Sequence, residues 1–174
     1  MKSVKGTAPV RFRWPIGLLI VAAVLAVDQG SKWLVLETFY PGRTVPVLPF
    51  FNLVLVFNPG ISFGLFAGNP FATARVLSGL ALLIVAGLLY WLRQERRPLA
   101  RFAIWLVIGG ALGNVIDRLR YGMVVDFLDF YIKSYHWPAF NLADVAVVGG
   151  ASVLIWESFV ESRSQPGKTG EKTR

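Results

Sequence analysis

The sequence has no cysteine and a single histidine, His136, among its 174 residues. Without cysteine there is no disulfide, no thiolate nucleophile and no cysteine-bound metal, and one histidine disfavours a histidine-based metal centre. Charged residues are also scarce, at 16%, compared with about 25% in soluble domains, and 55% of the residues are hydrophobic. This composition excludes a disordered chain and argues against an ordinary water-soluble domain.

Long apolar stretches separate three clusters of basic residues. The stretches predict transmembrane helices near residues 14–36, 72–92, 102–120 and 141–160, each close to the roughly 20 residues that cross a bilayer core. The basic residues cluster before the first helix, between positions 93 and 101, and in the tail 161–174, which we expect to be flexible. An even number of spans brings these clusters to one side, and the positive-inside rule assigns that side, with both termini, to the cytoplasm. Such alternation differs from the contiguous basic stripe of a nucleic-acid-binding protein.

The predicted fold is a single integral membrane domain over residues 1–174, an all-α membrane protein with a small extracytoplasmic β-rich platform. The platform is expected in segment 37–71, where β-branched and aromatic residues alternate with Pro and Gly turns. Segment 121–140 ends in aromatic residues typical of a membrane-interface belt. A cleavable signal peptide is an alternative for the N-terminus, but the apolar character continues to Leu36 and three more spans follow.

Four aspartates are predicted to converge near the outer end of the helical bundle: Asp28, Asp117, Asp126 and Asp144. Three of them lie about 22 to 28 Å along their helices from the basic flanks. Asp126 follows Gly122, a residue that permits the chain to turn back towards the membrane. Ionisable groups inside a membrane usually serve a function. Two further acids, Glu37 and Asp129, are expected to extend their side chains into water and to have no functional role.

Asparagines accompany two of these aspartates. Asn114 precedes Asp117 by three residues, and Asn141 precedes Asp144 by the same spacing, so each pair shares a helix face. Each amide can therefore hold either the neighbouring carboxylate or a substrate amide. Arg118 is expected either to neutralise Asp117 or to bind a substrate carbonyl.

Two glycine-containing segments have alternative interpretations. The glycines between Gly109 and Gly113 permit either close helix packing or space for a ligand. The segment Gly60-Ile61-Ser62-Phe63-Gly64 matches a serine-nucleophile pattern, but that pattern needs a strand-to-helix elbow and a histidine base. Only His136 is available, within an aromatic belt, so a serine hydrolase is disfavoured. No H-E-x-x-H zinc motif occurs.

Five motifs, in order and over about residues 14–160, resemble those of lipoprotein signal peptidases (signal peptidase II), bacterial inner-membrane aspartyl proteases. They are Asp28-Gln29-Gly30-Ser31-Lys32, Asn58-Pro59-Gly60-Ile61-Ser62-Phe63, Gly113-Asn114-Val115-Ile116-Asp117-Arg118, Val124-Val125-Asp126-Phe127 and Phe140-Asn141-Leu142-Ala143-Asp144.

The resemblance implies removal of the signal peptide from a prolipoprotein by a cut just before its diacylglyceryl-modified Cys, near the outer face of the membrane. It implies that Asp126 and Asp144 are the catalytic dyad. Substrate-binding or supporting positions then fall on Asp28, Asn58, Asn114, Asp117, Arg118 and Asn141. The implied partners are the prolipoprotein substrates, membrane lipids and globomycin-like inhibitors, with no nucleic acid.

Two adjacent carboxylates that share one proton suit this chemistry, because one activates water while the other protonates the amide oxygen. No metal or other cofactor is expected, and which aspartate is base and which is acid stays open. Spacing alone does not choose between Asp117 and Asp126 as the partner of Asp144. Arg118 would hold Asp117 ionised, whereas the apolar neighbours of Asp126 would raise its pKa, so Asp126 is preferred.

Two other classes compete with a protease. A proton-coupled transporter would use carboxylates at mid-membrane depth and often an inverted repeat, whereas these acids lie at the outer end and no repeat is visible. A non-catalytic membrane scaffold would not need four converging acids.

Overall fold

The structure is a computed structural model that describes residues 14–60 and 70–164. Its helices are α1 Trp14–Thr38, α2 Pro70–Gln94, α3 Pro98–Tyr121 and α4 Leu142–Ser164. Its strands are β1 Thr44–Leu48, β2 Phe51–Asn58, β3 Val124–Ile132 and β4 Tyr135–His136. All four helices are long and apolar enough to cross a membrane, which confirms the predicted helix number.

The ends of α3 and α4 differ from the prediction. α3 begins at Pro98 rather than near 102, because proline fits the first helical position after the extended backbone of Arg97. α4 continues to Ser164, so the expected flexible tail over 161–174 begins inside a helix. Residues 165–174, the basic segment 1–13 and most of the Gly60–Gly64 motif lie outside the described residues.

The helices pack around α3, which contacts each of the other three. Its buried side chains include Ile104, Trp105 and Ile108, which join Val21 of α1 and Leu92 of α2 in one apolar cluster. Many apolar side chains of the other helices remain exposed, as expected of helices surrounded by lipid.

Glycines allow the closest helix contacts. A Cβ at Gly110 would lie 2.3 Å from the backbone oxygen of Ala143 in α4, and a Cβ at Gly113 would lie 2.6 Å from Asp28 Oδ2. Of the two interpretations of this glycine-rich segment, the structure therefore favours close packing of α3 against its neighbours.

The strands form an antiparallel sheet in the order β1-β2-β3-β4. The predicted β-rich platform is confirmed for the described part of segment 37–71, but β3 and β4 come from 121–140, where only an aromatic belt was predicted. β3 begins after Gly122, whose φ of 71° ends α3 in a left-handed turn. One sheet face packs on the end of α1 through Val35, Leu55, Val125 and Phe127.

Candidate active site

Asp126 and Asp144 are joined through a single asparagine. Asp126 lies on β3, and Asp144 lies in the first turn of α4. The Asn141 side-chain amide donates to Asp126 Oδ1 at 2.7 Å, and the Asn141 backbone N–H donates to Asp144 Oδ2 at 3.2 Å. Asn141 is fully buried at the start of α4. It therefore holds the two carboxyl groups beside the same helix end.

The remaining oxygens of the two carboxyl groups also accept hydrogen bonds. Asn58, at the end of β2, donates from Nδ2 to Asp126 Oδ2 at 2.8 Å. Asn114, on α3, donates from Nδ2 to Asp144 Oδ1 at 2.8 Å. Three asparagines from different elements thus fix the orientation of both carboxyl groups.

Burial changes the acidity of Asp126, which is only 1% exposed and lies outside the four helices. The pKa of Asp126 is raised to about 6 overall: burial raises it most, hydrogen bonds from Asn58 and Asn141 lower it, and the nearby charge of Asp144 raises it. The direction agrees with the expectation from its apolar sequence neighbours. A carboxyl group with such a pKa is suited to hold a proton in catalysis.

Asp28 and Asp117 form a second cluster around Lys32. Lys32 Nζ lies 2.9 Å from Asp28 Oδ2 and 2.7 Å from Asp117 Oδ2, and all three side chains are buried. Gln29 also donates to Asp117 at 2.8 Å. The backbone N–H of Val125 donates to Asp117 and that of Ala143 donates to Asp28. The cluster therefore ties α1 and α3 to the first residues of β3 and α4.

Of the two alternatives for Asn114, a hydrogen bond to the neighbouring Asp117 is not observed. The Asn114 side chain contacts Asp144, Lys32 and Asn141 instead. The helical spacing places both residues on one face, but each finds its partners on neighbouring elements.

Arg118 is not the group that neutralises Asp117. Lys32 has that role, and among the described residues Arg118 makes no ion pair within 4 Å. Arg118 still interacts electrostatically with Asp144, Asp117 and Asp126. Its Nε is buried and has no hydrogen-bond partner among the described residues. The guanidinium group therefore lies near the aspartates without pairing closely with any of them.

The side chain of Asp129 is buried and does not extend into water, contrary to expectation. It is 7% exposed, accepts a hydrogen bond from Asn52 at 2.9 Å and pairs with His136 at 2.9 Å. Burial raises the pKa of Asp129, but the hydrogen bonds from Asn52 and His136 together lower it by more, so the net pKa is below its usual value. β3 places Asp129 opposite Asn52, a cross-strand pairing that the predicted aromatic belt could not reveal. Glu37 is exposed, as expected.

Lys32 and Gln29 are the site residues to which sequence reasoning assigned no role. Both occur in the first motif, and a lysine within an otherwise apolar helix was the available signal. Across residues 14–60 and 70–164, no group of three or more His, Cys, Asp or Glu side chains is arranged to hold a metal ion.

The fold and the site together define the class of protein. It is a multi-pass helical membrane protein in which two aspartates, linked through Asn141, lie where a small sheet meets the ends of the helices. A family model described as Signal peptidase (SPase) II matches residues 20–160. The chain belongs to the signal peptidase II family and is accordingly a membrane protease of lipoprotein processing.

Curated relatives and solved structures agree with this assignment. The lipoprotein signal peptidase of Moorella thermoacetica is 44% identical over 149 residues, covering 85% of this chain and 95% of the relative. That of Alteromonas mediterranea is 39% identical over 168 residues, covering 95% and 89%. A solved structure described as a bacterial membrane enzyme, determined by the in meso method at 2.3 Å resolution, has a TM-score of 0.79 at 27% identity and covers 97% of this chain and 99% of its own.

Proposed function

We propose that the protein is an aspartyl endopeptidase that removes the signal peptide from diacylglyceryl-modified prolipoproteins by cutting just before the lipidated Cys. The observation that carries the proposal is the pair Asp126 and Asp144, which Asn141 links by hydrogen bonds of 2.7 and 3.2 Å. Membership in the signal peptidase II family supports the substrate class.

The reaction follows from two carboxyl groups that share one proton. The ionised group takes a proton from water, which attacks the scissile carbonyl carbon. The protonated group donates to the carbonyl oxygen, which gives a gem-diol intermediate. As the C–N bond breaks, the first group gives its proton to the leaving nitrogen and the second takes a proton back from a gem-diol hydroxyl, so the products are a carboxylic acid and an amine and the dyad is restored. The raised pKa of Asp126 supports a dyad that carries a proton under mildly acidic conditions. Neither a metal nor a covalent intermediate is required.

Two polar groups are available to hold the peptide. Arg118 lies close enough to Asp126 and Asp144 to interact with both electrostatically, and Asn58 is an exposed residue that contacts Asp126. Both are assigned to the substrate backbone near the scissile bond. The diacylglyceryl chains enter laterally from the bilayer, where the exposed apolar faces of the helices lie. A globomycin-like cyclic peptide would occupy the same positions.

The enzyme is assigned to the bacterial inner membrane with both termini in the cytoplasm and the dyad near the outer face. Arg97 and Arg101 lie at the α2–α3 connection, and Arg163 lies in the last turn of α4, at the opposite end of that helix from Asp144. This distribution supports the orientation derived from the positive-inside rule.

A cleavage assay with paired substrates tests the function. The purified protein is incubated with a diacylglyceryl prolipoprotein and, in parallel, with the same prolipoprotein lacking the lipid, each with and without globomycin. We expect cleavage of the lipidated substrate only, inhibition by globomycin, and a new N-terminus at the modified Cys. Failure of folded protein to cut the lipidated substrate, or a cut elsewhere, would disprove the proposal.

A further inference from the structure

Lys32 connects the buried ion cluster to the two aspartates of the site. Its ammonium group has three donors, and its three acceptors are Asp28 Oδ2 at 2.9 Å, Asp117 Oδ2 at 2.7 Å and Asn114 Oδ1 at 3.3 Å. Lys32 is 2% exposed, so no bulk water competes for these donors. The contact with Asn114 is the one that leads towards the site.

An ammonium group accepts no hydrogen bonds, so only the oxygen of the Asn114 amide can face it. The opposite side of that amide then presents its NH2 group, which donates to Asp144 Oδ1 at 2.8 Å. If the amide were rotated by half a turn, its NH2 would face Lys32 and its oxygen would face the Asp144 carboxylate. Both contacts would then be repulsive.

The two carboxyl groups are equivalent in hydrogen bonds but differ in surroundings. Asp144 lies in the first turn of α4, where the helix N-terminus stabilises a negative charge. Asp126 lies on a strand, is buried and has no helix end of its own. The charged groups that face Asp126 are Asp144 from α4, Lys32 from α1 and Arg118 from α3.

We propose that Lys32 is a positioning residue: it orients Asn114 to donate to Asp144. Together with the N-terminus of α4, this hydrogen bond makes Asp144 the ionised general base and leaves Asp126 as the general acid. This inference rests on the proposed function. It assigns separate roles to the two aspartates and gives Lys32 a part in the reaction beyond neutralising Asp28 and Asp117.

A double-mutant cycle tests whether Lys32 acts through Asn114. Cleavage is measured for the wild type, Lys32→Met, Asn114→Ala and the double variant, with Lys133→Met as the matched control at an exposed lysine of the β3–β4 turn. We expect Lys32→Met to lower kcat about 100-fold with little change in KM, as a misplaced catalytic group does. In the Asn114→Ala background the same substitution should cost less than about 3-fold, because the two residues act in series.

A pH profile tests the assignment of Asp126 as the acid. If Asp126 is the acid, kcat/KM falls as Asp126 loses its proton at high pH. The Lys32 charge lowers the pKa of Asp126, so Lys32→Met should move this basic limb to higher pH. Lys133→Met should leave the limb in place.

Folding of the variants is checked by thermal denaturation and globomycin binding. Because Lys32→Met leaves two buried carboxylates without their cation, the charge-balanced Lys32→Met/Asp117→Asn is measured beside it. Asn114→Asp is the third variant, since it keeps an acceptor for Lys32 but cannot donate to Asp144, and it should lower kcat at least about 100-fold.

The outcomes separate this inference from the proposed function. If the folded wild type does not cut the prolipoprotein, the proposed function fails. If the wild type cuts, three results would each overturn the role of Lys32 and leave the proposed function standing. They are a wild-type kcat in either folded Lys32 variant, effects of Lys32→Met and Asn114→Ala that simply multiply in the double variant, and wild-type activity of Asn114→Asp.

Discussion

Asn141 and Asp144 cap the first turn of α4 for each other. The Asp144 backbone N–H donates to Asn141 Oδ1 at 2.9 Å, and the Asn141 backbone N–H donates to Asp144 Oδ2 at 3.2 Å. This reciprocal arrangement is a capping box with Asp at its third helical position. Because a helix start fixes both residues, the position of Asp144 depends on a rigid element and not on a mobile loop.

Removal of either carboxylate should abolish cleavage. Asp126→Asn and Asp144→Asn keep the size of the side chain but remove the shared proton, and we expect a loss of at least about 1000-fold in kcat with globomycin still bound. Asp129→Asn is the matched control, because Asp129 is buried on the same strand but pairs with Asn52 and His136. It should retain cleavage near the wild-type rate, measured with the lipidated prolipoprotein on a gel.

Asp117→Asn should affect folding more than chemistry. The substitution removes the 2.7 Å ion pair with Lys32 inside the bundle, which costs about 3–5 kcal/mol of stability when one partner of a buried pair is lost. Thermal denaturation should therefore show a lower Tm, while any folded fraction still cuts substrate. If folded Asp117→Asn is inactive and folded Asp126→Asn still cuts, the dyad is Asp117 with Asp144.

The raised pKa of Asp126 predicts a specific pH dependence of stability. With a folded pKa of about 6 against an ordinary 3.8, the native state binds more protons than the unfolded state between these values. The stabilisation is fully present below about pH 4 and is lost as the pH rises through 6, a change of about 3 kcal/mol. Asp126→Asn has no titrating carboxyl group at this position and therefore lacks this pH-dependent stabilisation. Its Tm relative to the wild type should therefore rise between pH 4 and pH 7, and a constant difference would contradict the shift.

Close packing of α3 on α4 predicts different outcomes at two glycines. Gly110→Ala would place a Cβ 2.3 Å from the Ala143 backbone oxygen, so α4 must shift, and we expect a loss of about 1–3 kcal/mol of stability. Gly149→Ala meets nothing within 4 Å and should be neutral or gain up to about 1 kcal/mol from helix propensity. Denaturation of the two variants in the same detergent distinguishes them, and equal stabilities would contradict the packing.

Membrane orientation is testable with reporter fusions. Fusions at Arg97 and at the C-terminus should report a cytoplasmic location, because basic residues resist translocation. Fusions at Val45 and Lys133, on the sheet, should report the opposite side. A C-terminus found outside would contradict the four-span orientation.

The helices and most of the polar site residues are predictable from the sequence, whereas the pairing of those residues is not. Long apolar stretches predict membrane spans because the bilayer core excludes polar side chains. An aspartate inside such a stretch, such as Asp28, is rare and therefore easy to recognise. Lys32 pairs with Asp117, and Asn114 donates to Asp144 on another helix. These pairings depend on how the packed helices are rotated about their axes, and the spacing of residues along one helix does not determine that rotation. The sequence predicts too late a start for α3 because Arg101 has the character of a basic residue that flanks a membrane span. In the folded chain Arg101 donates to the backbone oxygens of Leu92 and Glu95, and the helix continues through it.

Strand β3 was missed for a similar reason. The segment from Val124 to Ile132 is rich in β-branched and aromatic residues, but its motif and its aromatic end were interpreted separately. Its partner β2 lies two helices earlier in the chain, so no local turn signal announces the pairing.

The pairing of β2 with β3 has a consequence for biosynthesis. Asn58 and Asp126 touch at 2.8 Å but are 68 residues apart, with α2 and α3 between them. The ribosome therefore completes two membrane helices before the second half of the sheet exists, and Asp144 emerges later still. A nascent chain that ends before Asp144 lacks one of the two proposed catalytic aspartates, so we expect proteolytic competence only after the start of α4 has been synthesised.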